Sequence, residues 1–300
     1  MNPKHLAFFF TILLAAAPAH AALRIFACEP EWASLAEEIG GDEIKAISAT
    51  HAMQDPHYIE ARPSLISSVR RADLVICTGA QLEIGWLPML LNKANNPAVL
   101  PGKAGFFEAS AYVQRLDVPQ SVDRSQGDVH PQGNPHIQTN PHNIALVADA
   151  LGQRLAELDP EHAVRYRDGL EEFMRRWGVA TAGWEERAQP LRDNRVVVYH
   201  KSWAYLEQWL DLKEVATLEP VPGVPPTASH LADVLAQLES GGGADYIIYS
   251  AYQSDKPGQW LADRTHIPLV MLPSTVGGSD RTGDLFGLFD EILNLLLGAK

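Results

Sequence analysis

Two runs of alternating strand and helix, matched in order, constrain the fold of this chain more than any other feature. In the first, Leu23–Ala27 reads as an apolar strand. Trp32, Leu35, Ala36 and Ile39 then recur at the i, i+3, i+4, i+7 spacing of one helix face, ended by Gly40-Gly41. A strand Ile44–Ser48, a helix Pro63–Arg71, a strand Leu74–Cys77, a helix Trp86–Leu91 and a short fourth strand Ala98–Leu100 are predicted next. The second run starts near Arg195, with strands over Val196–Tyr199, Val215–Leu218, Tyr246–Tyr249 and Pro268–Leu272. Between them lie helices striped by Trp203, Leu206 and Leu210, by Leu231, Val234, Leu235 and Leu238 (begun at Thr227 or Ser229), and over Pro257–Arg264. Asp284–Leu297 closes the chain as a helix.

Strands that alternate with helices imply parallel sheets covered on both faces. The chain is therefore expected to be α/β, with two Rossmann-like lobes over residues 22–160 and 193–300. Leading into and through 161–192, the stretch from Asn143 to about Arg192 is rich in Leu, Ala, Glu and Arg, and it has no proline from Glu161 to Gln189. Gly178 and Gly183 weaken a helix there, yet a long rigid helix remains the expectation, a stiff spacer rather than a flexible linker.

The residues before the first strand are organised differently. Lys4 gives a positive start, Leu6–Ala17 is an almost unbroken apolar run, and Ala19-His20-Ala21 fits a small-x-small cleavage pattern. This predicts a secretory signal peptide over 1–21, since the run falls short of the ~20 residues that span a bilayer. Removing Lys4 leaves 23 of the 24 basic side chains against 37 acidic ones, so the charge moves from −13 to −14. That balance argues against nucleic acid and against polybasic docking on lipid. Cys28 lies too far beyond the apolar run for a lipid anchor, which points to a periplasmic destination.

Common enzyme signatures are missing: the sequence has no GxSxG, P-loop, HExxH or GxGxxG. Histidines stand out instead. His57 follows Asp55-Pro56 in the loop after the second strand, and His136 follows Asn134-Pro135 in the aperiodic stretch Gln120–Pro141. His200 stands at the end of the strand beginning at Val196. Ligands of open α/β sheets bind outside the carboxyl ends of strands, and three neutral imidazoles suit a borderline cation such as Zn²⁺. Solvated loop histidines are the plain alternative at this point.

These segments resemble the periplasmic solute-binding proteins of zinc and manganese ABC transporters, the ZnuA/TroA-like group. Asp55-Pro56-His57-Tyr58-Ile59-Glu60-Ala61-Arg62-Pro63-Ser64 is similar to the family's first-ligand segment. Ala72-Asp73-Leu74-Val75, with Gly79–Glu83 and Trp86-Leu87, resembles its "ADLV…NGxxLExWL" stretch. Asn134-Pro135-His136-Ile137 with Pro141 and Asn143 resembles "DPHxWxxPxN", and Tyr199-His200 with Trp203 and Tyr205-Leu206 resembles "YHxxFxYL". The resemblance runs from about Leu23 to the C-terminus. It implies two α/β lobes with one metal in the cleft between them, held by His57, His136 and His200, and favours zinc over manganese because the third position is a histidine.

The chain departs from the family's pattern where a carboxylate is usual. Ala251 stands in place of the Glu of an "IFxExQ"-like segment, and the count to a fourth-ligand Asp lands on Pro273. Asp280 is the expected fourth ligand, with water or Glu60 as alternatives, while His51, His130 and His142 are expected outside the site. Cys28 and Cys77 end strands that would be neighbours in a 2-1-3 order, so they could pair as a disulfide. Two buried free thiols are the alternative.

The resemblance implies a monomeric binding protein, not an enzyme, that captures Zn²⁺ and hands it to an inner-membrane ABC permease. Mn²⁺ or another divalent cargo, or supply by a periplasmic metallochaperone, are variants of that reading. A three-histidine zinc hydrolase, with Glu60 or Asp280 as base, is the distant alternative.

Overall fold

The computed structural model describes residues 22–121, 127 and 129–299. The expected signal peptide, 1–21, and Asp128 lie outside the described residues. Eight strands and nine α-helices follow one another among the described residues. The first sheet holds β1 (Leu23–Ala27), β2 (Ile44–Ser48), β3 (Leu74–Cys77) and β4 (Phe106–Glu108). Its order is β2-β1-β3-β4, all parallel. The second holds β5 (Arg195–Val198), β6 (Lys213–Thr217), β7 (Tyr246–Ser250) and β8 (Leu269–Leu272), in the same order, β6-β5-β7-β8. All its pairs are parallel too. The helices are α1 (Pro30–Gly40), α2 (Pro63–Arg71), α3 (Leu87–Ala94), α4 (Pro141–Leu158), α5 (Ala163–Ala188), α6 (Ala204–Leu210), α7 (Ala228–Gly241), α8 (Lys256–Thr265) and α9 (Leu285–Gly298).

Local chemistry explains these limits. Pro30 opens α1 at a position that needs no N–H donor, Trp32, Leu35, Ala36 and Ile39 are its buried face, and Gly41 at φ 56° turns the chain out. The Thr227 hydroxyl caps α7 by accepting from the His230 N–H at 3.2 Å, and Asp284 caps α9 through the Gly287 N–H at 2.7 Å.

The fourth strand is displaced from its expected place. Ala98–Leu100 does not join the sheet, because Asn96 caps a 3₁₀ turn over Pro97–Val99 and its amide donates to the Val69 and Ala72 carbonyls. The strand forms instead at Phe106–Glu108, where Phe106 and Phe107 are both buried. The long helix expected from Glu161 onward forms as α5, and Asp159-Pro160 separates it from α4. At 26 residues α5 is roughly 39 Å long.

That helix packs on both lobes. Its Gly169 lies so close to α1 that a Cβ there would meet the Ile39 carbonyl oxygen at 2.0 Å. Phe173, Trp177 and Trp184 pack against Phe286 and Phe289 of α9, mostly edge to face. The Trp177 indole donates to the Pro141 carbonyl (2.8 Å) and the Trp184 indole to Asp290 (2.9 Å). One apolar cluster accordingly runs from β1 and α1 through α5 to β5 and α9.

Cys28 and Cys77 do form a disulfide, with Cα atoms 4.8 Å apart, which also removes Cys28 from any other role. Beside it three carboxyls are buried. Glu29 and Glu83 both accept from the Thr78 N–H, at 3.2 and 2.8 Å, so their oxygens are side by side. Burial pushes the Glu29 carboxyl well above its ordinary range, and its neighbours Glu83 and Glu31 push it further. Burial likewise raises Glu83 and Glu31 to about 7. Glu31 accepts from the Thr275 hydroxyl, which lies in the loop after β8.

The folded protein thus holds protons that the unfolded chain releases above about pH 4.3, so this cluster's stabilisation is complete at low pH and is lost as pH rises through 7. Glu29→Gln removes the Glu29 proton and relieves Glu83. Between pH 5 and 8 its unfolding free energy is expected to fall less steeply than that of the wild type, by up to ~1.4 kcal/mol per pH unit for one proton. Urea unfolding of both metal-free proteins across that range measures the difference; parallel curves would mean that Glu29 carries no proton.

Candidate metal centre

Three imidazoles meet where the carboxyl ends of the two sheets face each other. His57 comes from the loop after β2, His136 from the segment that leads into α4, and His200 stands two residues past β5. One nitrogen from each lies within 4.8 Å of the others. Ring centroids are 5.5 Å apart for His57–His136 and His136–His200, and 5.7 Å for His57–His200. His136 and His200 are buried, and the His57 side chain is 9% exposed.

Each ring is held by its own partners. Asp55 Oδ1 accepts from the His57 backbone N–H (3.0 Å) and faces its Nδ1 at 2.7 Å. The loop is fixed in turn by the Trp86 indole, which donates to the Pro56 carbonyl at 2.9 Å. Burial acts to raise Asp55, but its hydrogen bond to His57 and the nearby imidazoles outweigh this and keep the carboxyl below its usual range. Glu219 Oε2 faces His200 Nδ1 at 2.7 Å and also accepts from the Gly223 N–H at 3.0 Å. A carboxylate on Nδ1 fixes the proton there and leaves Nε2 as the lone-pair nitrogen.

Asn134 joins the remaining ring to its neighbours. Its side-chain oxygen accepts from the His136 N–H (3.0 Å), and its amide donates to the Lys201 carbonyl (2.8 Å), one residue past His200. The Tyr205 hydroxyl donates to the Asn134 carbonyl at 2.8 Å. His136 Nε2 is buried with no protein partner. Burial, then the rings of His57, His200 and His130, hold the His136 pKa well below the ordinary imidazole value, so the ring is neutral at pH 7 and able to offer a lone pair. A buried acceptor left without a donor costs about 1–3 kcal/mol, which a cation bound there would offset.

The other named residues fall out differently. Asp280 does not join the rings. It is exposed in a turn that closes on itself, where the Gly277 N–H donates to the Thr282 carbonyl (2.6 Å) and the Ser279 N–H to the Thr282 hydroxyl (2.9 Å). Glu60 is exposed beyond His57 and is also outside the group. Both bases considered for hydrolysis are therefore away from the rings. His142 pairs with Glu185 at 2.9 Å, and exposed His51 accepts from the Met53 N–H at 3.3 Å. His130, expected outside the site, is against it: its Nε2 lies 3.2 Å from that of His57, with the rings stacked at 5.2 Å. His130, His136 and His200 share the wall of one cavity of about 400 Å³, and His57 and His200 that of a second of about 310 Å³.

Comparison with known proteins now adds to the geometry. The model of the family described as "Zinc-uptake complex component A periplasmic" matches residues 25–299. The chain belongs to this family. It is a solute-binding protein of metal ABC transporters, of the ZnuA/TroA-like group, and not an enzyme. The metal ABC transporter substrate-binding lipoprotein SsaB of Streptococcus sanguinis is 22% identical over 276 residues, covering 88% of this chain and 84% of that protein. The crystal structure of ZnuA superposes with a TM-score of 0.74 at 21% identity, covering 92% of this chain and 99% of that one. FpvC from Pseudomonas aeruginosa, in complex with Mn²⁺, gives 0.78 at 21% identity over 93% and 98%. At these identities the two structures speak for the fold.

Glu219→Gln keeps the shape beside His200 but removes the negative charge. Zinc affinity, measured by competition with a chromophoric chelator, is expected to fall at least tenfold, within the 10–100-fold range for such supporting carboxylates. An unchanged affinity would remove Glu219 from the account of the site.

Proposed function

We propose that this protein captures Zn²⁺ in the periplasm through His57, His136 and His200 and delivers it to an inner-membrane ABC permease. The observation that carries the reading is the set of three converging nitrogens, two backed by carboxylates and the third, His136 Nε2, buried with no protein partner. Relatives and structural neighbours named for zinc and for manganese both occur, so the cargo is argued from the donor set. Neutral imidazole suits zinc, whereas Mn²⁺ favours oxygen ligands. In this reading the segment 1–21 directs export, lobes 22–160 and 193–300 carry the ligands as a monomer, and 161–192 is their rigid spacer. A metallochaperone that supplies the metal is compatible with the same site.

Ligation requires deprotonated imidazoles, so zinc binding competes with protons. Calorimetric titration of the metal-stripped protein is expected to show one tight zinc site per chain near pH 7.5. Affinity falls by at least tenfold near pH 5.5, below the ordinary imidazole pKa of ~6.5. Affinity that does not change over this range would reject a site built on histidine.

A further inference from the structure

We infer that His130 is a fourth metal ligand, completing an all-imidazole tetrahedron with His57, His136 and His200. This deepens the zinc reading above and rests on it. The first ground is a distance. Two nitrogens bound to one tetrahedral zinc at ~2.0–2.1 Å lie roughly 3.3–3.4 Å apart. His57 Nε2 and His130 Nε2 are separated by 3.2 Å. Because Asp55 faces His57 Nδ1, the Nε2 directed at His130 is the lone-pair nitrogen. Two such atoms at this distance share either one proton or one cation. In the metal-free protein His130 Nε2–H donates to His57; when the metal enters, His130 changes to its Nδ1–H tautomer, one proton leaving Nε2 and one arriving at Nδ1, so the ring stays neutral and both Nε2 lone pairs face the metal.

The second ground is convergence. His130 lines the same cavity as His136 and His200. It is also placed by the chain that places His136. The Gly133 N–H donates to the His130 carbonyl at 3.0 Å, and the next residue, Asn134, is fastened to both His136 and Lys201. The third ground is the lack of a carboxylate competitor: no Asp or Glu oxygen among the described residues joins the three-histidine group, and Asp280 is exposed in its own turn. His130, itself outside that 4.8 Å group, would move with the metal from its contact with His57 toward His136 and His200.

Four neutral ligands leave the full dication charge on the site. Such a site discriminates against manganese more strongly than one with a carboxylate, because no hard oxygen is offered. His130 is thus a residue of metal choice as well as affinity.

The test uses the mature chain, stripped of metal, with Zn²⁺, Mn²⁺ and Co²⁺ as probes. Co²⁺ reports coordination number, since its visible d–d bands are intense in a tetrahedral site and weak with five or six ligands. His130→Ala is expected to bind one zinc per chain at ten- to a hundredfold lower affinity, with its cobalt bands weakened and shifted as water enters. His142→Ala, an exposed histidine paired with Glu185 away from these cavities, is expected to match the wild type. His130→Asp is expected to raise Mn²⁺ affinity at least tenfold over His130→Ala, a change that a merely structural role would not produce. Thermal unfolding of the metal-free variants checks that each is folded.

Two results overturn the proposal, and they differ. If His130→Ala keeps wild-type zinc affinity and cobalt spectrum while His136→Ala loses binding, the three-histidine site stands and His130 only hydrogen-bonds to His57. If the wild type binds no zinc, the site itself is misread and His130 falls with it.

Discussion

His136→Ala is expected to weaken zinc binding between a hundred- and a thousand-fold while leaving the metal-free fold intact. A structural-type zinc site releases about 10–16 kcal/mol, so one ligand of four carries roughly 3–4 kcal/mol, and each 1.4 kcal/mol is tenfold. His136 is the best choice of the three because its Nε2 makes no hydrogen bond within the protein. Truncating it removes a ligand without unpairing a carboxylate, which His57→Ala and His200→Ala would do to Asp55 and Glu219. The metal-free His136→Ala protein should unfold at nearly the wild-type temperature, and zinc should raise that temperature much less than in the wild type. Wild-type affinity in this variant would place the metal elsewhere.

Replacing both cysteines by alanine is expected to lower the unfolding free energy by about 2–4 kcal/mol. The bridge closes a separation of 49 residues, for which loop-closure entropy gives an upper value of about 4 kcal/mol. Both sulfurs lie inside an apolar cluster with Phe26, Val75 and Trp86, so alanine keeps the environment apolar and isolates the effect of the cross-link. The bridge also ties the end of β1 to the end of β3, from which Glu29 and Thr78 emerge. Its loss should loosen the support beneath Glu29 and Glu83. Urea unfolding at pH 6 is the measurement, and the slope should increase because the unfolded chain is no longer tied. A loss below about 1 kcal/mol would mean that the native bridge is strained or that the unfolded chain stays compact.

Much of the site was legible because strand order and motif position point the same way. His200 ends a strand run, and His57 and His136 each follow a proline in a loop. Glu219 could have been found as well. Val198 pairs with Thr217 in the parallel ladder, so two residues further on His200 meets Glu219. Glu219 offers no ligand atom of its own to the metal, so a search for ligand motifs does not reach it. The count from the following motif lands on Pro273, and Asp280 is only the nearby acidic candidate; backbone and hydroxyl hydrogen bonds inside 275–282 fold its turn upon itself. His130 is expected outside the site because a loop histidine is ordinarily solvated, and a fold-back set by single hydrogen bonds leaves no pattern in the sequence to read. The fourth strand was misplaced for a related reason: Ala-Val-Leu is apolar enough for a strand, yet the Asn96 cap takes it into a turn.

The central claim concerns where the metal sits. The most direct measurement is anomalous diffraction at the zinc edge from crystals of the metal-loaded protein. The account predicts one strong peak per chain, ~2.0–2.1 Å from Nε2 of His57, His136 and His200. Asp55 and Glu219 would remain on the far nitrogens of His57 and His200. A peak at other residues, with His136 Nε2 left bare, would contradict it.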